Sequence, residues 1–277
     1  HVSSPLPAWA PREARHAARS RSTPPADAHM SAPPAAPAAG AEEWRYNKRS
    51  VPERFSGAVP FDVLGPFGSP VASLSLGQGV IPYEGESGEW MEAGDNPTVW
   101  DASRVMADFL GAGGAGPLEG RRVLEVGAGC GLCGLAAAAL GARVTLTDLD
   151  ALLPTLRGNV RRNEAAMPAG AHPVAVERLL WGAHGGEAWW DPPYDVVLGA
   201  DVGYAPQHQA ELAATLAAAC GPGTRVYLSL ERRWRDVERW FREELDLRFD
   251  VEGVAQGRFG PRYSGEEYEL LRLTCKP

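Results

Sequence analysis

Residues 123–131 read Val-Leu-Glu-Val-Gly-Ala-Gly-Cys-Gly, and the fold turns on them. Val123, Leu124 and Val126 form an apolar run that carries one acid, Glu125, and glycines stand at 127, 129 and 131. Gly134 follows just before the Ala/Leu-rich segment 135–140. This order predicts a buried parallel strand, a tight turn and a helix. Glycine is needed where the backbone takes φ > 0 and where a ligand lies against the main chain. The helix N-terminus beyond it presents unpaired N–H groups to such a ligand. The stretch therefore points to a nucleotide-like molecule, although a turn that only packs helix on strand would use the same glycines.

The spacing narrows the choice of nucleotide. A dinucleotide fingerprint is G-x-G-x-x-G with an acid about 20 residues later. Here Leu132 takes the place of the third glycine, the pattern is G-x-G-x-G, and Glu125 lies two residues ahead of it. The next apolar run, 142–147, ends in Asp148, at the distance expected of a ribose ligand. An acid before G-x-G-x-G and a second acid closing the next strand resembles motif I and its successor in S-adenosylmethionine (SAM)-dependent methyltransferases with a Rossmann-like sheet. That resemblance implies SAM as cofactor.

Outward from this motif, the units alternate. Strand 142–147 precedes helix 150–163, with Leu152, Leu153, Leu156 and Val160 as its apolar stripe. Strand 174–180, a Gly/Trp-rich loop to Pro193, strand 194–200, helix 208–219, strand 224–230 and helix 233–245 follow. The runs 247–254 and 267–274 close the chain without a helix between them. Alternation argues a parallel sheet, and a closing pair without a crossover argues an antiparallel hairpin at one edge. The expected fold is α/β: a Rossmann-like, seven-stranded, mostly parallel sheet with an antiparallel terminal hairpin and helices on both faces. Residues 99–277 are expected to form the SAM-dependent methyltransferase domain that the motif resemblance implies, opening with a helix over 99–110. Residues 41–98 read as an N-terminal extension with short strands (61–64, 71–76, 80–83), lid-like and not a separate domain. Residues 1–40 hold eight of the 24 prolines and no periodic apolar pattern, and are expected to be disordered. Met30 begins a plausible separate start; residues 1–29 read as upstream sequence, an expression remnant or an organelle-targeting peptide.

The 277 residues, 44% of them hydrophobic, suffice for one α/β core, and no apolar stretch approaches the roughly 20 residues of a membrane span. The net charge of −8 divides into +2 for residues 1–40 (four Arg against Glu13 and Asp27) and −10 for the rest. A phosphate-backbone footprint is not expected from such a body; its acidity either suits basic peptides or serves only solubility. Cys130 and Cys133 form a C-x-x-C inside the glycine turn without a second Cys/His pair, so no metal is expected. The chain reads as a reduced, cytoplasmic, monomeric protein.

Within this frame, residues 95–275 resemble the methyltransferase-like family 21 group of protein-lysine methyltransferases. The matching motifs are V-W-D-A at 99–102, V-L-E-V-G-A-G-C-G-L-C-G-L at 123–135 and V-T-L-T-D-L at 144–149. N-V-R-R-N at 159–163, L-L-W-G at 179–182 and D-V-V-L-G-A-D-V-G-Y at 195–204 follow in order. The resemblance implies that Trp100 lies over the cofactor's methionine end, which Gly127 and Gly129 line. It implies that Asp148 takes the ribose hydroxyls, that Trp181 stacks near adenine, and that Glu125 and Ala200 belong to the same cofactor-binding set. Asp201 and Tyr204, the D-x-x-Y after the fourth strand, then border the substrate channel as catalytic residues, and Glu231-Arg232 faces the same pocket. Where the family often has a β-branched residue this chain has Gly203, which is expected to loosen that loop.

Plainer readings stand beside these. Trp100 also fits helix-start core and Trp181 a packing aromatic. Asn159 and Asn163 suit backbone hydrogen bonds better than cofactor contact. Trp189 and Trp190 fit either a partner contact or a loop anchor, and Arg232, Arg233, Arg235 and Arg242 read as a solvated basic helical face. The implied activity is methyl transfer to a lysine of a protein substrate. A small-molecule N- or O-methyltransferase, or a non-catalytic SAM-binding scaffold, would keep the same sheet motifs.

Overall fold

The structure, a computed structural model, describes residues 57–65, 68–78, 98–255 and 267–276. The segment 1–40 and the run 80–83 lie outside the described residues. The motif strand β3 (Arg122–Val126) is an interior strand, third from one edge of a seven-stranded sheet. It pairs in parallel with β4 (Arg143–Asp148) on one side and β6 (Val196–Ala200) on the other. β5 (Ala175–Arg178) extends the first side and β7 (Arg225–Glu231) the second, both parallel. β8 (Phe249–Gly253) and β9 (Tyr268–Cys275) complete the sheet in the order β5-β4-β3-β6-β7-β9-β8. The closing pair is antiparallel, and the last strand inserts between β7 and β8. The apolar character of β9 explains that place: Leu270, Leu271 and Leu273 are buried, whereas β8 is mostly exposed and takes the edge.

Both faces of the sheet are covered, which is why the central strands read as nearly continuous apolar runs. Helices α1 (Asp101–Gly111), α2 (Leu132–Ala139) and α3 (Leu153–Asn163) share a core with Val123, Val144, Leu146, Val196 and Leu198. Helices α4 (Gln209–Ala218) and α5 (Arg235–Asp246) pack on the opposite face against Leu124, Val126, Val197 and Leu228. Every residue of α2 is buried, as its unbroken Cys/Gly/Leu/Ala composition demands. α1 begins two residues later than the sequence pattern suggests, which leaves Trp100 as its N-cap.

α2 is buried all round because a two-stranded hairpin covers its outer side. β1 (Gly57–Leu64) and β2 (Pro70–Gln78) pair antiparallel and place Phe61, Val63, Leu74 and Leu76 against Leu132, Leu135 and Ala136. Two asparagines one turn apart on α3 then bind the free edge of β2. Asn159 accepts from Gly77 N at 2.7 Å and donates to Gly77 O at 3.0 Å. Asn163 accepts from Ser75 N at 2.7 Å and donates to Ser75 O at 2.9 Å. Each amide offers the strand an acceptor and a donor as a neighbouring strand would. Both bond backbone, the plainer of the two roles the sequence allowed. Among the described residues no helix is long and apolar enough to cross a membrane.

Candidate active site

Successive strands leave β3 in one direction and β6 in the other, so the loops after these two strands diverge and open a crevice at the carboxyl edge of the sheet. Ligands of open α/β sheets bind in such a crevice. The loop after β3 carries Gly127 at φ 61° and Gly129 at φ 54°, conformations that side chains rarely take. A Cβ on Gly127 would lie 3.0 Å from Val202 and 3.3 Å from the Trp181 indole, while a Cβ on Gly129 would meet nothing within 4 Å. The backbone at Gly129 thus borders open space, and Gly127 is walled by the residues that flank it.

Two acids hold this loop. Asp148, at the end of β4, accepts from Gly129 N through Oδ2 and from Leu149 N through Oδ1, each at 2.7 Å. Glu125 lies beneath the loop, 2% exposed, and its Oε2 accepts from Gly134 N at 2.7 Å. It therefore ties β3 to the first turn of α2, where the close approach requires glycine: a Cβ on Gly134 would lie 2.8 Å from that oxygen. Burial pushes the Glu125 carboxyl up to about 8, against the pull of the Gly134 N–H and the Cys133 thiol. Cys130 and Cys133 donate to the carbonyls of Gly77 and Ser103, and burial pushes the Cys130 thiol up to about 12. These are packed thiols, not reactive ones.

The opposite wall comes from β6 and β7. After Ala200 the chain turns through Asp201 at φ 55°, the one non-glycine residue with positive φ among the described residues. Such strain persists where the surroundings enforce it, and it concentrates at functional sites. Asp201 N donates to Ser229 O at 2.8 Å, and the Asp201 side chain, 8% exposed, accepts from Arg233 Nη2 at 2.7 Å. Burial raises the Asp201 pKa above the usual carboxylate value, and Arg233 partly offsets this. The same Arg233 nitrogen donates to Glu231 at 2.5 Å, and its guanidinium lies 5.0 Å from the centre of the Trp100 ring. Tyr204, three residues beyond Asp201, is 42% exposed.

Two sequence expectations change here. Arg233 is not part of a solvated helical face: it precedes α5, which begins at Arg235, and bridges two carboxylates. Arg232 does pair at the surface, with Glu269. Gly203 does not loosen its loop. At φ 85°, its missing side chain lets Phe241 approach, and a Cβ would lie 2.5 Å from that ring. The buried Gln209 amide also donates to Gly203 O at 2.7 Å. Trp190 meets Trp189 edge-on and also packs against the rings of His184 and Tyr194, as a loop anchor would. A separate cavity of about 670 Å³ between α5 and β9, lined by Leu230, Phe241 and Leu271, shares Arg233 with the site but contains none of its glycines or Asp148. The site is assigned to the crevice because backbone donors and acids converge there.

The sequence model of the lysine methyltransferase family matches residues 88–247, a span that includes the whole site. The chain belongs to the lysine methyltransferase family. It is 40% identical over 169 residues to protein N-lysine methyltransferase METTL21A of Danio rerio, covering 61% of this chain and 75% of that one. With METTL21A of Mus musculus it shares 35% over 206 residues, 74% of this chain and 88% of the other. With EEF1A lysine methyltransferase 3 of Mus musculus it shares 35% over 155 residues, 56% of this chain and 64% of the other. The methyl donor of this lysine methyltransferase is SAM. The residues present fit it: open space borders the Gly129 backbone, an acid stands at the end of β4, and an indole flanks Gly127.

Proposed function

We propose that the crevice transfers a methyl group to a lysine presented by a protein, with Asp201 and Tyr204 as the catalytic pair. Trp100, Gly127, Gly129, Asp148, Trp181 and Ala200 would hold the donor, and Glu125 would support the loop from below. SAM, when bound, supplies a methyl on a sulfonium, open to in-line attack by a nucleophile. The protein's part is then placement and desolvation.

A lysine must lose its proton to attack, which at pH 7 costs about 4.6 kcal/mol from a reference pKa near 10.4. Asp201 is fixed as an acceptor by Arg233 and by its own backbone turn, so it can orient the hydrogens of a neutral amine. Tyr204, exposed three residues beyond it, offers a second oxygen to the same amine. The observation that carries this reading is Asp201 itself: a carboxylate in a strained conformation, almost fully buried, at the carboxyl edge of the sheet. A protein acceptor is supported by the names of the relatives, both protein methyltransferases, and by the acidic charge of −10 outside residues 1–40. The same reading places the chain in the cytoplasm as a monomer, with its four cysteines as free thiols.

The test is tritiated-methyl transfer into a cell lysate, with mass spectrometry of the labelled band. Label on a protein lysine is expected with the wild type. Asp201→Asn should reduce turnover far more than it weakens S-adenosylhomocysteine, because the lost contact is felt mainly in the transition state. Label on a small molecule, or normal turnover in folded Asp201→Asn, would refute the assignment.

A further inference from the structure

The ion-paired corner beside Trp100 supports a step that rests on the function just proposed. Two carboxylates, Asp201 after β6 and Glu231 at the end of β7, converge on one nitrogen of Arg233, at 2.7 and 2.5 Å. The guanidinium lies 5.0 Å from the Trp100 ring and 6.0 Å from Trp234, an arrangement in which cation–π attraction holds it in place. Its side chain is only 21% exposed. By themselves, two carboxylates facing an incoming lysine would favour its protonated, unreactive form. A guanidinium shared between them halves that field.

We infer that Arg233 is a positioning residue for methyl transfer: it fixes the Asp201 carboxylate and sets the charge at the methyl-transfer end of the crevice, so that the protonated form of the acceptor amine is favoured less. Two further carboxylates nearby are paired. Asp101 at the start of α1 pairs with Arg104, and Glu269 on β9 pairs with Arg232. Burial, and then the nearby Asp101, Glu231 and Glu267, push the phenol of Tyr268 on β9 up to about 12, so it stays neutral. Among the described residues Arg233 is the cation in contact with Asp201.

SAM carries a positive sulfonium and S-adenosylhomocysteine does not, so the ratio of their affinities reads the local charge without an acceptor. Calorimetry on the full chain should show both ligands binding. Arg233→Gln should shift the ratio in favour of SAM by about tenfold, the order expected when a unit positive charge is removed from a partly buried site near a cationic ligand. Arg233→Lys should restore the wild-type ratio. In the transfer assay described above, the acid limb of the rate profile should move up about one pH unit in Arg233→Gln and return in Arg233→Lys. Asp201→Asn, which keeps Arg233, should shift the ligand ratio the opposite way, and it decides the matter should Arg233→Gln not fold. An unchanged ratio in both variants, or equal weakening of both ligands with a lowered melting temperature, would make Arg233 a structural strut and overturn the inference. A wild-type chain that binds neither ligand would instead overturn the SAM site on which it rests.

Discussion

The asparagine pair on α3 allows a sharp separation of stability from ligand binding. Asn159, 1% exposed, makes three side-chain hydrogen bonds: two to Gly77 on β2, and one from Nδ2 to Cys130 O at 3.0 Å inside the glycine loop. Asn163, equally buried, also makes three, but to Ser75 and to Asn159 O. Truncating either leaves partners on the half-covered β2 edge without a protein contact, at about 1–3 kcal/mol for each group that water cannot reach. Water reaches part of that edge, so each alanine variant should lose about 2–4 kcal/mol. For a domain of this size that is about 6–12 °C in melting temperature. Only Asn159→Ala also frees a carbonyl of the glycine loop. Its affinity for S-adenosylhomocysteine should fall severalfold, while Asn163→Ala stays near the wild type. Scanning calorimetry and isothermal titration on the two variants measure both quantities. Equal ligand weakening in both, or a melting temperature within about a degree of wild type for Asn159→Ala, would refute the coupling of hairpin to loop.

Asp148→Ala should weaken SAM and S-adenosylhomocysteine at least about tenfold, because charge-assisted hydrogen bonds of about 1.5–3 kcal/mol are lost; an unchanged dissociation constant would place the ribose elsewhere. Glu125, protonated up to about pH 8 in the fold and to 4.5 when unfolded, binds more protons folded than unfolded across that window. Stability from this group therefore declines as pH rises from 4.5 towards 8, by on the order of a few kcal/mol, and Glu125→Gln should flatten the melting-temperature profile there. Gly203→Val should cost about 2–4 kcal/mol through left-handed strain and the clash with Phe241, and lower turnover by displacing Tyr204; a gain in melting temperature would contradict the packing seen. Deletion of residues 1–40 should leave melting and methyl transfer unchanged, a prediction read from composition alone and checked by the same two assays.

The amino-acid sequence by itself determined the elements and the glycine loop that joins two of them. Glycine spacing, apolar runs and an acid at the end of a strand are local features, and each constrains backbone within a few residues. Hence the loop at 127–131, the alternation of strands and helices, Asp148 at the end of β4 and Asp201 after β6 all lie where their local patterns place them. The family's motifs, too, are runs of near neighbours. What joins distant residues was decided only by tertiary structure. β9 lies inside β8 because its leucines are buried by helices from elsewhere in the chain. Arg233 meets Asp201 across 32 residues, and Asn159 meets Gly77 across 82. In sequence, Arg233 stands beside Arg232 and Arg235 and has the composition of a solvated face. Gly203 carries no sign that Phe241, 38 positions later, fills its missing side chain. The pattern along a strand or helix states which face is apolar, but not which partner covers it. The charge balance beside Asp201 is set by such a partner, and so belongs to the fold as a whole.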